Sequence, residues 1–433
     1  MKKISNLMML FAAVALMTAC SNDETLVQEN GVGKVTVQIK GGSSTAVTRA
    51  TQAGTAAEST INSLELYVFN ADGSLDTKVG SQGTTPGTGY VALSGASLTG
   101  NNKYQFQVTA GTGKKVLAIA NAGLGAQAGK TFTQIEQLLT NYVFGSANSQ
   151  GQTFTDAASM EMAGVSEGWS VENGAVTAVD VKISRLAAKI MPPVATTVNV
   201  DFTNLLQEDI DRIYGTGSGL TPADTYTFTY QGYAVINGLK NSAVYTPANF
   251  STWVGDTYYK PGAAPGAAPL ANLYSWPTFD ANGMFLAPPY SGGTAPSFLL
   301  TNAPIYVYEN KPATGVDAAG QIGYVAGTVY AFIIGGTITG NGTGVTNKVS
   351  TTRYWRINIY ATTTTVGADA LPYVITRNTI YNTTINRVSS PGYSTPQNAT
   401  GGDEDILPPP TSAAANFTII PQDWNVLDET TEM

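Results

Sequence analysis

Apolar and polar residues alternate along much of this chain with the period of two that a half-buried strand requires. The clearest case comes early. Lys34 to Lys40 reads Lys-Val-Thr-Val-Gln-Ile-Lys, which places Val35, Val37 and Ile39 on one face and polar residues on the other. Ile61 to Phe69 follows and ends at Asn70-Ala-Asp-Gly73, where the Asp-Gly pair predicts a tight turn. Further strands are predicted at Lys103 to Thr109, Lys115 to Asn121 and Val179 to Ile190, the last closed by Pro192-Pro193. Beyond that pair the pattern predicts strands at Tyr226 to Ile236, Ile305 to Tyr308, Gly327 to Ile334, Tyr354 to Tyr360 and Ile380 to Val388, with Gly340 to Gly344 as a hairpin tip. One stretch turns to helical spacing: Phe132, Ile135, Leu138, Leu139 and Tyr142 recur at intervals of three and four, with Thr133-Gln-Ile-Glu136 as a capping box.

The chain ends on a tethered strand. After a linker rich in Pro and Gly, Phe417 and Ile419 alternate with polar neighbours, and past Pro421 the apolar parity moves to Trp424 and Val426. This predicts strand, break, strand. A lone strand in water leaves its backbone groups unpartnered and its apolar face wet, so it needs a sheet edge. That edge belongs either to the chain's own body or to another molecule.

At the other end, Lys2 and Lys3 precede an apolar run from Leu7 to Met17 and then Thr18-Ala19-Cys20, the layout of a secretion signal. The run is too short to span a bilayer as a helix. Met17 to Cys20 resembles a bacterial lipobox, which implies cleavage before Cys20 and lipid on its sulfur; the plainer reading is an ordinary signal peptide with an incidental Cys. Asp23 and Glu24 resemble surface-export signals of Bacteroidetes lipoproteins. Arg49 is the only Arg among the first 184 residues and lies in a stretch of small residues. Such a loop fits extended into a protease cleft, although a solvated surface Arg satisfies the same spacing.

Composition narrows the function. With 433 residues, 43% of them hydrophobic, the chain has room for two domains. Pro192-Pro193 marks the boundary, giving a signal peptide at 1–19, a segment at 20–49, domains at 50–191 and 192–390, and a linker with tail at 391–433. Charged residues are only 12%, which together with many Thr, Gly and Val residues suits a mostly β protein. The net charge of −8 argues against nucleic acid as a partner. The sequence holds no His and one Cys, which removes the commonest general base and metal ligand and excludes a disulfide within one molecule. No catalytic, cofactor or metal residues are assigned, and the protein is read as a non-enzyme. Glu208, Asp209 and Asp211 form the solvated face of a short amphipathic stretch. Asn70, Asp72 and Asp76 do not make a calcium loop, because Gly73 comes too early for that spacing. Asp403-Glu404-Asp405, before Pro408-Pro409-Pro410, extends the linker.

Several of these pieces together resemble one family. The lipobox, the first strand, Arg49-Ala50, Lys115 to Asn121, Arg185-Leu-Ala-Ala-Lys189, Arg377 to Ile385 and the tail around Pro421 and Trp424 are similar to Bacteroidales fimbrillins of the FimA and Mfa kind, most of all to a minor-fimbrium shaft subunit. The resemblance implies two tandem β-sandwich (transthyretin-like) domains, a short helix in the first, and a C-terminal donor strand. It implies a lipoprotein precursor, carrying palmitate-type lipid on Cys20, held at the outer membrane and cut by an Arg-specific protease between Arg49 and Ala50. The first strand, with Val35, Val37 and Ile39, is then displaced, and the tail of the next subunit, with Phe417, Ile419, Trp424 and Val426, takes its place. The partners implied are other pilin subunits, with anchor and tip subunits at the ends of a homopolymer, and host or bacterial surface ligands in adhesion. A second expectation is a surface glycan-binding lipoprotein or tip adhesin, for which the aromatic residues between Trp253 and Tyr274 could stack on sugars.

Overall fold

The structure, a computed structural model, describes residues 31–41, 51–53, 56–83, 85–98, 102–136, 138, 160–195, 198–236, 244, 278–279, 285–286, 304–309, 314–316, 322–325, 329–359, 375–395, 406–407 and 417–425. The alternating segments form strands, as their pattern requires. In the first half these are β1 (Val32–Gly41), β2 (Thr51–Ala53), β3 (Ser63–Phe69), β4 (Tyr90–Ser94), β5 (Lys103–Thr109), β6 (Gly111–Ala120), β7 (Met162–Val171) and β8 (Val176–Arg185). Helices α1 (Ala56–Ser59) and α2 (Phe132–Glu136) interrupt them. The second half contributes β9 (Ala187–Ile190), helix α3 (Gln207–Tyr214), β10 (Thr225–Ile236), β11 (Ile305–Tyr308), β12 (Ala331–Gly342), β13 (Val345–Val349), β14 (Arg353–Asn358), β15 (Thr379–Ile385) and β16 (Phe417–Asn425), with shorter pairings between them.

Seven strands of the first half make one sheet in the order β4-β3-β6-β7-β8-β1-β5. Strands from both ends of that order feed a single apolar cluster: Val35 and Val37 from β1, Leu64 and Leu66 from β3, Val108 from β5, Val116 and Ala118 from β6, and Val181 and Ile183 from β8. A sheet whose two ends meet in one core has to curl around it, which the normal strand twist favours. The alternate residues of β3 and β6, namely Tyr67, Phe69, Leu117 and Ile119, face a second and larger cluster shared with Tyr233, Phe332, Ile334 and Tyr381 of the other half. Period two thus serves two cores at once.

In the second half β12 pairs with β10 on one side and with β13 and β14 on the other, while a separate sheet runs β11-β9-β15-β16-β2. The Gly340 to Gly344 segment forms the β12–β13 tip as expected, with Gly344 at a φ of 78°.

Three local expectations differ. Val179 to Ile190 is not one strand: it breaks at Leu186, whose amide donates to the Glu161 carbonyl at 2.9 Å, and its two parts enter different sheets. Hence β9, just before Pro192, pairs with β11 and β15. The capping box falls two residues early. The Gln134 side chain accepts from the Thr131 amide at 2.9 Å and the Thr131 hydroxyl accepts from the Gln134 amide at 3.4 Å. Both sequences fit the capping pattern, and the earlier one places Phe132 and Ile135 together in the core. Finally, the tail is not broken at Pro421, because β16 runs through it. Pro421 lies opposite Tyr381, whose carbonyl accepts from Met191 on the other side of β15. In an antiparallel ladder that makes the Pro421 position one where no amide is needed from this edge.

Candidate functional site

Two strands near the chain ends carry the candidate chemistry of assembly. The first is β1. It lies inside its sheet, antiparallel to β5 and parallel to β8, so that Thr36 faces Gln105 on one side and Ala178 on the other. Val35 and Val37 are wholly buried and Ile39 nearly so. Burial of each such side chain contributes about 1.5–3 kcal/mol. The outward residues add the Lys40–Asp180 ion pair at 2.7 Å and a hydrogen bond from Gln105 Nε2 to Thr36 Oγ1 at 3.1 Å, both at the surface. At its start β1 passes tightly under the β7–β8 turn. The Lys34 amide donates to the Ala175 carbonyl at 2.8 Å, and a Cβ on Gly33 would meet Val171 Cγ1 at 2.2 Å and the Glu172 carbonyl oxygen at 2.7 Å. Only glycine fits there without a shift.

Cys20, Arg49 and Ala50 lie outside the described residues, as does the aromatic stretch from Trp253 to Tyr274. The chain is described again from β2, two residues beyond Arg49. Just after β2 comes α1, and Glu58 on it is almost completely buried. Its Oε1 accepts from Lys189 Nζ and from the Tyr306 hydroxyl, each at 2.7 Å, while its backbone carbonyl accepts from Arg185 Nε at 3.0 Å. Arg185 also donates to Ser59 Oγ at 3.0 Å and to Asn378 Oδ1 at 3.4 Å. Burial holds the Arg185 guanidinium down at about 10, against the pull of Glu58 and Tyr306 in the other direction, and burial with the Glu58 bond raises the Tyr306 phenol. This network ties α1 to β8, β9, β11 and the residue before β15. It gives the Arg185 to Lys189 motif a structural reason. Glu58 itself was not singled out in the sequence; its signal would have been a lone acid in a stretch of small residues.

The second strand is β16. It pairs antiparallel with β15, from Asp423 opposite Thr379 to Phe417 opposite Ile385. On its other edge it pairs in parallel with β2, Thr51 opposite Asp423 and Ala53 opposite Asn425. Phe417, Ile419 and Trp424 therefore lie on a strand docked on the chain's own sheet, and Val426 falls outside the described residues. The structure brings the tail to β2, next to the Arg49–Ala50 bond in sequence, and does not bring it to β1.

Other motifs are structural. Asn121, at the end of the Lys115 to Asn121 segment, adopts a φ of 62° and uses both ends of its amide: Oδ1 accepts from the Asn62 and Ser63 amides, and Nδ2 donates to the Thr60 and Met160 carbonyls. Asp76 is buried and accepts from Lys114 Nζ at 2.8 Å, from the Lys78 amide and from both the amide and the hydroxyl of Thr109. Lys114 also donates to Asn70. Asp209 of α3 accepts from the Leu206 amide and pairs with Arg212 at the surface. Among the described residues no cluster of His, Cys, Asp and Glu could hold a metal ion, and no helix is long and apolar enough to cross a membrane.

The curled sheet that holds β1 is also the part of the chain that a family model matches. Residues 33–185 match the family described as Major fimbrial subunit protein (FimA). The match begins inside β1 and closes on Arg185, the last residue of β8, so the matched segment is the seven-stranded sheet together with β2 and the α1 and α2 helices. Among solved structures, a putative cell adhesion protein from Bacteroides eggerthii is 17% identical with a TM-score of 0.46, covering 92% of this chain and 97% of that one. A fimbrilin (FimA) from Porphyromonas gingivalis is 16% identical with a TM-score of 0.46, covering 92% and 99%. A tip fimbrial protein from Porphyromonas gingivalis is 12% identical with a TM-score of 0.40, covering 91% and 99%. No curated protein matches the chain.

Proposed function

We propose that this protein is a structural subunit of an extracellular surface fimbrium that supports adhesion, polymerised with other pilin subunits by strand exchange. The observation that carries the reading is the match of residues 33–185 to the FimA family, within which β1 is a strand held by both neighbours yet joined to the rest of the chain by the stretch containing Arg49. The precursor reaches the outer membrane with lipid on Cys20. A protease cuts between Arg49 and Ala50, and β1 becomes a separate peptide, replaceable by another strand. An open position between β5 and β8 exposes unpaired amides and carbonyls and the apolar floor of Val108, Val179 and Val181, which is what strand addition consumes. The donor is the tail of the next subunit. Electron microscopy of cells with and without the gene tests the reading: the fibres should disappear with the gene, and unchanged fibres would favour the glycan-binding lipoprotein instead.

A further inference from the structure

This inference rests on the strand-exchange reading and fixes what that reading leaves open, the direction and register in which the tail of one copy enters the β1 position of another. The position left by β1 has four inward sites in a row: Gly33, Val35, Val37 and Ile39, all buried. The last three accept apolar side chains. The first accepts almost nothing, because even a Cβ meets Val171 Cγ1 at 2.2 Å and the Glu172 carbonyl oxygen at 2.7 Å. Any incoming strand must therefore carry a small residue two places from its first large one.

The small residues of the tail, Ser412, Ala413, Ala414 and Ala415, lie just ahead of Phe417. Reversed relative to β1, every register that fills two of the three apolar sites from Phe417, Ile419, Trp424 or Val426 brings Pro421, Asp423, Asp428 or Thr430 to Gly33. Running in the β1 direction but using Trp424 and Val426, the tail brings Ile420 or Gln422 there. Two registers remain. One places Ala413 at Gly33 and leaves Ala415 in the site of Val35, which opens a cavity in a fully buried position. The other places Ala415 at Gly33, Phe417 at Val35, Ile419 at Val37 and Pro421 at Ile39, with Ala413 falling at Gly31.

We infer that the tail enters in this last register, parallel to β8 and antiparallel to β5. Small residues then meet both glycine positions and apolar residues meet all three apolar sites. Thr418 falls where Thr36 stands and inherits the hydrogen bond from Gln105. The register loses one ladder bond, since the Ile39 amide donates to the Asn102 carbonyl at 3.0 Å and Pro421 has no amide to donate. Val171 and the Glu172 carbonyl must also shift to admit the Ala415 methyl, the smallest side chain the tail can place there.

Cysteine pairs read the register directly, because the one native Cys, Cys20, is removed with the first segment. Thr36 faces Gln105 and Lys34 faces Gln107, so the register places Thr418 opposite Gln105 and Asn416 opposite Gln107. Fibres of cut subunits carrying Thr418→Cys with Gln105→Cys, or Asn416→Cys with Gln107→Cys, should run as a ladder on non-reducing gels that thiol collapses to monomer. A ladder from Asn416→Cys with Gln105→Cys instead, or fibres that give no ladder from either predicted pair, would overturn the register while leaving strand exchange intact. Should the cysteine variants fail to assemble, Ala415→Leu and Ala414→Leu decide: the first should abolish assembly and the second, which points outward, should not, and the opposite result rejects the register. Fibres from subunits lacking the tail altogether would instead remove the strand-exchange reading on which the register depends.

Discussion

Lys189 Nζ lies 2.7 Å from Glu58 Oε1, an ion pair in which Glu58 is 1% and Lys189 11% exposed. Lys189 is on β9 and Glu58 on α1, so the pair joins the segment that follows Arg49 to the sheet on which the tail rests. Removing one partner leaves the other charge buried without its counterion, which costs about 3–5 kcal/mol. Glu58→Ala should lower the unfolding free energy of the subunit by that amount in urea titration. Glu58→Leu combined with Lys189→Met should recover most of the loss. Equal instability of the single and double variants would show that the pair is not what holds α1 in place.

Gly33 makes a prediction with a built-in control. Gly33→Val forces side-chain atoms into Val171 and the Glu172 carbonyl, an overpacking that costs about 1–3 kcal/mol. The uncut precursor should melt at a lower temperature than the native precursor. After proteolysis and release of β1 the two proteins should be identical, since the altered residue leaves with the peptide. A difference that persists in the cut form would mean that β1 is not removed.

How much of this was legible beforehand depends on which force sets each element. Val35, Val37 and Ile39 announce their buried face because alternation is the direct imprint of a half-buried strand. Alternation did not say that β1 sits inside its sheet rather than at an edge, nor that Val179 to Ile190 divides between two sheets at Leu186, because both follow from pairings distant in sequence. The tail was legible as a strand in need of an edge. Its docking on β15 was not, since register information there lies in the Tyr381–Met191 bond that frees Pro421 from donating. Glu58 was illegible for a similar reason: Lys189, Tyr306 and Arg185 converge on it from 127 to 248 residues away.

Cys20 is expected to carry lipid in the precursor. Cells fed a labelled fatty acid should incorporate label into the uncut protein and lose it in Cys20→Ser. Label retained by that variant would place the lipid elsewhere or remove it from the account.

Maturation is expected at one bond. N-terminal sequencing of subunits from fibres should begin at Ala50, and Arg49→Ala should accumulate precursor with no fibres. Fibre subunits that still contain Lys34 to Lys40 would contradict replacement of the first strand.

The tail decides the central claim. In the single chain it closes the edge of β15, so a subunit ending at Ser412 should stay folded on its two cores but melt somewhat lower, having lost the β15 and β2 pairings. The decisive measurement is electron microscopy of that truncated subunit after the Arg49 cut, at a concentration where the full-length subunit forms fibres. Strand exchange predicts soluble monomers and no fibres. Normal fibres from the truncated subunit would contradict it.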